Sequence, residues 1–507
     1  MKNTLHRTSY VVHLVYLAVL TLFTNTAFAQ STRISFQADP NGSCDCTVLL
    51  QWYEVKFTEA PAGGLTDTRF ESVTSFDPEV DKTLTTSIKI TTPQVLSLVI
   101  LPKNGSVSER QAKNKFLRLF VAPNETVGIR IDASGRAIFA GSTAQYNDFL
   151  QDHFAENVYQ YLPKLGYNPN SYDNQEVITG IDNLQKKRKA AYQELKQKTE
   201  VDSSFNAYVQ AEMMTDPYLV REIVAAKSMR KDSGTKLTKP QDEKLSDYTL
   251  KNFKILPDAA LLSDGYRNEL FNYALIQVTN KYPVDSAKRW LLSDEALKFA
   301  YDFTNSYLND HPNQRQYIHT RWLDYATSLL ADMTTAKTLS NNYRQQYPEA
   351  AINAYFDTQI NGKSKLEIGN LAPNFKLKDK DGKDITLSDL KNKKLCLVFC
   401  FNLKQHELTL KPTEEKYAND LTIVYINLMS SVPIEYWQTN IAASRAGALY
   451  LYAPTEVAEK LKNDYLASNP YPFVLIDESS QIVKRWIPQE FPFNKTLTDD
   501  LKIFLGK

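Results

Sequence analysis

The spacing of apolar residues changes twice along the chain, and these changes limit the folds that it can adopt. Up to about residue 143, short runs rich in Val, Ile, Thr and Phe are broken by Pro, Gly, Asn and Asp, which is typical of antiparallel strands. From about 144 to 362, apolar residues recur at the helical period of 3.6. After residue 363, strand-like and helix-like segments alternate, which predicts a mixed α/β sheet.

The chain has 507 residues, more than the roughly 250 to 300 that one hydrophobic core supports. We therefore predict a multidomain protein, with a β-sandwich-like domain at 30–143, an all-α domain at 144–362 and an α/β domain at 363–507. Ser293 is the predicted N-cap of one helix, and the polar stretch 228–247 is predicted to be an exposed loop. Three apolar helix faces are predicted: Leu270, Tyr273, Ala274 and Val278; Leu297, Ala300, Tyr301 and Leu308; and Ile318, Trp322, Tyr325, Ala326 and Leu329.

The first 29 residues have the pattern of an export signal. Lys2 and Arg7 precede an apolar run from Tyr10 to Phe23, and Ala27-Phe28-Ala29 forms a small-x-small cleavage site. Cleavage after Ala29 predicts a periplasmic or extracellular protein, and Gln30 is not the Cys that a lipid anchor requires. No later run approaches the 18 apolar residues of a membrane span, so none is expected.

The balance of charges gives no reason to expect nucleic acid as a partner. Without Lys2 and Arg7, the 59 basic residues become 57 against 58 acidic ones, a net charge of −1. The basic cluster Lys186 to Lys189 is predicted to be a solvated helix face, because glutamates follow it.

Two segments of the C-terminal domain carry a family resemblance. The first, IGNLAPNFKLKDKDGKDITLSDLKNKKLCLVFCF, contains the Ala-Pro-x-Phe, Asp-x-x-Gly and Leu-Ser-Asp-Leu elements that precede a central strand; the second is NPYPFVLIDESSQIV. They resemble exported thioredoxin-like proteins of the TlpA and alkyl-hydroperoxide-reductase (AhpC/TSA) type. The resemblance covers about residues 368–507 and implies a thioredoxin-like fold and thiol-disulfide oxidoreductase activity. FVAPNETVGIRIDASGRAIFAGSTAQYNDFL is similar to the β-rich and helical extensions of such proteins from Bacteroidetes-type bacteria.

The active corner that the resemblance implies lacks its cysteines. A dithiol site needs a thiolate at the start of a helix and a second Cys two residues on, which resolves the mixed disulfide. Aligned on Leu397-Val398, Gln405 stands in the place of the nucleophile and Leu408 in that of the resolving Cys. His406 and Glu407 could act as acid and base, but without a nucleophile they are expected to be solvent-exposed residues of the helix start. No other His lies in this domain, so neither a metal nor another cofactor is expected.

The four cysteines lie elsewhere. Cys396 and Cys400 belong to a strand, where residues four apart are about 13 Å apart, too far for a disulfide, so we expect buried thiols. Cys44 and Cys46 could form a local disulfide, half of a metal site or a reactive exposed pair, and the sequence does not choose among these.

Tyr471 and Pro472 complete the expected surface. By the resemblance, Pro472 stands where the family has a cis-proline beside a bound partner strand, although its spacing to Asp477 is one residue shorter than the family's. Gln405, His406, Tyr471 and Pro472 would then form a peptide-docking surface without redox chemistry.

These observations favour a redox-inactive thioredoxin-like protein that binds another envelope protein or a peptide. The alternative is a thiol-disulfide oxidoreductase that uses an atypical pair such as Cys44 and Cys46. A third hypothesis, peptide or glycan binding by the β-rich domain, rests on Trp52 and Tyr53, which core packing explains equally well.

Overall fold

The computed structural model describes most of the chain. The described residues are 30–40, 42, 44–59, 65–104, 106, 114–155, 161–167, 175–231, 240–283, 292–329, 333–400, 403–428, 433–441, 447–465, 467, 473–486 and 501–506. The expected export signal and its cleavage site at Ala29 lie outside them. The chain divides into two compact units. The first contains the residues up to Lys56 and Thr68–Tyr273, and the second contains Phe57–Asp67 and Ala274–Lys507.

The β-rich part consists of two four-stranded sheets, in the orders β4-β1-β7-β8 and β3-β2-β5-β6. Alternate residues of both sheets, such as Ile34, Phe36, Val48 and Leu98, share one buried core, so the sheets form the sandwich that the period of 2 predicts. The strands are β1 Gln30–Ala38, β2 Cys46–Glu59, β3 Leu65–Phe76, β4 Thr83–Ile90, β5 Gln94–Pro102, β6 Lys115–Val121, β7 Thr126–Ile131 and β8 Ala137–Ala140.

Helices follow the sandwich in the same unit. The side-chain amide of Asn147 in the first helix accepts a hydrogen bond from the Phe120 N–H (2.7 Å) and donates one to the Phe120 carbonyl (3.0 Å), which fixes that helix against β6. These helices are α1 Ala144–Phe154, α2 Gln175–Lys198, α3 Ser203–Lys231, α4 Pro240–Asn252 and the first part of α5 Asp264–Lys281.

Two expectations about these helices are wrong in part. The stretch 228–247 is not a loop throughout, because α3 continues to Lys231 and α4 begins at Pro240, where proline is well tolerated; residues 232–239 lie outside the described residues. The basic cluster on α2 is not wholly solvated either, because Arg188 is buried, pairs with Asp216 at 2.5 Å and donates to the His153 carbonyl.

The second unit takes up the chain again at Ala274, within α5, and four more helices follow among the described residues up to Lys365. Ser293 caps the first of them, as predicted, by accepting a hydrogen bond from the Ala296 N–H. The predicted faces supply buried residues throughout, among them Ala274, Leu297 and Trp322. The unit boundary at Tyr273 coincides with neither predicted domain boundary, and those boundaries stay a prediction. The helices are α6 Asp294–Tyr307, α7 Pro312–Leu329, α8 Thr334–Gln346 and α9 Asn353–Lys365.

A seven-stranded sheet completes the second unit, in the order β10-β9-β13-β12-β11-β14-β15. Strands β11, β12 and β13 are parallel, whereas β14 and β15 form an antiparallel hairpin beside β11. The order β12-β11-β14-β15, with a helix joining β11 to β12, is the topology of the thioredoxin fold. The elements are β9 Lys376–Asp379, β10 Asp384–Thr386, β11 Leu395–Cys400, α10 Leu403–Tyr417, β12 Thr422–Asn427, α11 Ile434–Asn440, β13 Ala448–Tyr452, α12 Thr455–Tyr465, β14 Phe473–Ile476 and β15 Ile482–Trp486.

The outer edge of this sheet is partly occupied by its own chain. The Gly369 N–H donates to the Ile482 carbonyl and the Ile482 N–H donates to the Asn370 carbonyl, both at 2.8 Å. The Ala372 N–H donates to the Ser480 carbonyl at 2.9 Å. Segment 369–372 therefore satisfies the main chain at the start of β15.

No helix in the described part of the chain is both long enough and apolar enough to cross a membrane.

Candidate functional site

The candidate site is the corner where β11 ends and α10 begins. All six residues of β11 are buried, and the Leu428 N–H donates to the Cys400 carbonyl at 2.9 Å, so the ends of β11 and β12 lie side by side. In open α/β sheets, ligands bind outside the carboxyl ends of the strands, at the point where the strand order reverses. The end of β11 is such a point, because its next strand in sequence lies on one side and the hairpin on the other.

The residues at this corner belong to the first turns of α10. The helix starts at Leu403, so Gln405, His406, Glu407 and Leu408 all lie inside it. Their side chains are outside the described residues. The sequence from 401 to 410 contains no Cys, so the amino end of α10, which would lower the pKa of a thiol, has no thiol to act on.

A buried acid lies farther along α10. Glu414 is only 2% exposed, and the Tyr425 hydroxyl of β12 donates a hydrogen bond to its carboxylate. Burial, followed by this carboxylate, raises the pKa of Tyr425. Sequence reasoning missed Glu414, although its spacing from the buried Leu410 and Tyr417 places it on the apolar stripe of the helix.

The two thiols of β11 are buried, as expected. Leu395, Leu397 and Phe399 face one core of the sheet, whereas Cys396 and Cys400 face the other. Both cysteines are thiols outside any disulfide, and burial raises the pKa of Cys396 to about 12. Because the thiolate is the nucleophile, Cys396 is inert near neutral pH.

The other two cysteines form a disulfide in the β-sandwich. Cys44 and Cys46 are bonded to each other and are 7% and 2% exposed, within the shared core of the two sheets. The alternative of a reactive exposed pair is therefore wrong, because both residues are buried in the sandwich core. A thiol reagent or disulfide substrate would have to displace core residues to reach it.

The remaining candidate residues are distributed as follows. Tyr471 and Pro472 lie outside the described residues. Tyr53 is 44% exposed and packs against Phe70, with ring centroids 5.3 Å apart. Trp52 is half-buried and packs on the sandwich core, so it is not the exposed aromatic that the glycan hypothesis requires.

Comparison with known proteins yields structural neighbours for one part of the chain. No family model matches, and no curated protein matches. Solved structures that match include the thioredoxin domain of a thiol-disulfide oxidoreductase from Bacteroides vulgatus, which is 19% identical with a TM-score of 0.24, over 28% of this chain and 99% of that chain. A thiol:disulfide interchange protein DsbE from Chlorobium tepidum is 21% identical with a TM-score of 0.24, over 28% and 98%. A thiol-disulfide oxidoreductase from Bacteroides fragilis is 21% identical with a TM-score of 0.23, over 27% and 100%.

Proposed function

We propose that this is an exported thioredoxin-like protein of the TlpA and AhpC/TSA type that has lost the dithiol route and acts as a binding or scaffold module in the cell envelope. One observation carries the proposal: the amino end of α10 has no Cys, and the two thiols of the same sheet are buried in β11. Redox exchange needs an accessible thiolate, and neither place supplies one.

The binding role rests on the position of the corner. Gln405 and His406, at the start of α10, together with Tyr471 and Pro472 ahead of β14, form the proposed docking surface for a peptide or another envelope protein. We place the protein in the periplasm or outside the cell, after removal of residues 1–29, with no nucleic acid partner and no membrane span.

The second candidate function is thiol-disulfide exchange at Cys44 and Cys46. The bond between these residues favours it, because a disulfide two residues apart could be reduced to a dithiol and formed again. Their burial in the sandwich core opposes it.

Turnover of a model disulfide separates the two functions. With dithiothreitol as the reductant and insulin as the oxidised substrate, we expect the purified protein to reduce insulin at the uncatalysed rate. Gln405→Cys with Leu408→Cys should raise the rate at least about tenfold, because it supplies a thiol at the amino end of α10. If the wild type reduced insulin faster than the uncatalysed rate, and Cys44→Ser/Cys46→Ser did not, the protein would be an oxidoreductase that uses this pair.

Site-specific photo-crosslinking tests the binding role. A photo-reactive amino acid in place of His406, introduced in the producing cell, should give discrete adducts with envelope polypeptides. Glu478 is the matched control position, because its side chain is 53% exposed and it lies near the opposite, amino end of β11. There its carbonyl accepts a hydrogen bond from the N–H of Asn392, which precedes β11. The same adducts from both positions, or none from position 406, would contradict the docking surface.

A further inference from the structure

Arg485, near the end of β15, has a buried donor without an acceptor. Its Nε is inaccessible to solvent and has no hydrogen-bond partner among the described residues. The side chain as a whole is half-buried, so solvent reaches part of it. Loss of hydration lowers the pKa of the guanidinium to about 10. A guanidinium removed from water without an acceptor is costly, and natural structures compensate such groups.

A bulge in β15 brings Arg485 to the face of the sheet that meets α9. The register shifts between Leu475 and Ile476, so that Arg485 pairs with Val474. Paired residues share a face, and Val474 belongs to the same buried core as Leu366, at the end of α9. Lys363 precedes Leu366 by three residues and so lies on the same side of that helix.

Lys363 is the second cation of this cluster. Its ammonium donates to the Thr327 carbonyl, a neutral group in the last turn of α7. Burial, and then repulsion from Arg485, lower the pKa of Lys363 to about 7, and Asp324 opposes this shift. The two cations are therefore close enough to sense each other's charge.

The other charged groups that the structure describes around these two cations do not neutralise them. Asp324 and Arg321 face it from α7, and burial raises the pKa of the Asp324 carboxyl, which accepts a weak hydrogen bond of 3.5 Å from Ser328. The Oγ of Ser364, next to Lys363 in α9, is also buried without a partner among the described residues. Among the residues that the structure describes, the cluster therefore has a surplus of positive charge and of donors.

We propose that Arg485 and Lys363 bind a small oxyanion, between the sheet and the ends of α7 and α9. The planar guanidinium presents parallel N–H groups that suit two oxygens of one anion, and the ammonium supplies a point charge beside them. This site is separate from the proposed docking surface at α10, so an experiment that contradicts one of the two proposals leaves the other standing.

The test is the thermal unfolding of the purified protein in sodium phosphate, sodium acetate and sodium chloride at equal ionic strength. A ligand that binds only the folded state raises the melting temperature with its concentration. We expect a saturable rise with phosphate, with acetate or with both, and none with chloride. A response to phosphate alone identifies a free phosphate-type ion, and a response to both identifies a carboxylate-compatible site. No rise with either anion would overturn the proposal.

Three variants and a control locate the binding. Arg485→Gln should weaken anion binding at least tenfold, as measured by isothermal titration calorimetry. If that variant does not fold, Arg485→Lys takes its place, because it keeps the positive charge but lacks the two parallel N–H groups of the guanidinium. Arg344→Gln removes an exposed Arg that pairs with Asp357 and should bind like the wild type. Loss of the Lys363 charge should lower the affinity as the pH rises through 7, and in Lys363→Met only the titration of the anion itself should remain. Equal affinity in Arg485→Gln and the wild type would show that the anion binds elsewhere.

Discussion

Glu269→Gln should make the protein more stable at pH 8. Glu269, on α5, is 1% exposed, and its Oε2 has no partner among the described residues. Burial, and then repulsion from Glu222, raise its pKa from 4.5 to about 8. The folded state thus holds the proton more tightly than the unfolded chain, and stability is lost as the pH rises from 4.5 through 8. The full loss is about 4 to 5 kcal/mol at 1.36 kcal/mol per pKa unit, and Gln, which stays neutral, avoids it.

Urea unfolding of the wild type and variant at pH 5 and pH 8 measures this gain. The difference in unfolding free energy should be small at pH 5 and reach several kcal/mol at pH 8. Glu295→Gln is a control of opposite sign, because hydrogen bonds from its own backbone N–H and from Ser293 lower the pKa of Glu295. An equal effect of Glu269→Gln at both pH values would mean that its carboxyl is not protonated in the folded protein.

Protonation of His319 should destabilise the protein in acid by about 3 kcal/mol between pH 6.5 and pH 4. His319 is fully buried on α7, stacked on Tyr301 with ring centroids 3.8 Å apart. Its Nε2 lies 3.2 Å from the Tyr301 carbonyl, so Nε2 carries the proton and Nδ1 accepts from the Tyr347 hydroxyl at 3.1 Å. Burial lowers its pKa from 6.5 to about 4, so stability is complete above pH 6.5 and is lost as the pH falls toward 4.

The pH dependence of the unfolding free energy tests whether His319 causes this loss of stability in acid. His319→Gln cannot gain the proton, so its unfolding free energy should vary less with pH below 6.5 than that of the wild type. His153→Gln should remove a smaller part of the slope, because His153 is half-buried and its pKa is also lowered by burial. If the unfolding free energies of the wild type and His319→Gln fell in parallel below pH 6.5, other groups would cause the loss of stability in acid.

The elements that could be predicted from the sequence are those in which one signal dominates. The strand expected around Cys396 and Cys400 is β11, the Ser293 cap marks the start of α6, and strand spacing alone predicted the correct state of the two thiols. These features depend on local chemistry or on a single period.

The features that escaped prediction depend on departures from a period. Strict alternation from Ile482 would place Arg485 on the opposite face of the sheet, and only the bulge, which leaves no mark in the apolar pattern, brings it beside Lys363. Residues 228–231 and 240–247 of the predicted loop are helical because Lys, Met, Arg and Glu favour helices whatever their polarity. Gln405 to Leu408 could be placed at the corner, but the start of the helix at Leu403 was missed, although Asn402, a favoured N-cap residue type, directly precedes it.

Segment 369–372 has a consequence for self-association. Unpaired main-chain groups at the rim of a sheet can recruit a strand from a second molecule and start an ordered aggregate. Here the first residues of β15 already bond to the preceding loop, so a foreign strand would have to break these bonds. The opposite rim is β10, only three residues long, where Lys376 and Lys378 both pair with Asp384. One rim is partly closed by hydrogen bonds and the other is short and charged, which protects this sheet against polymerisation.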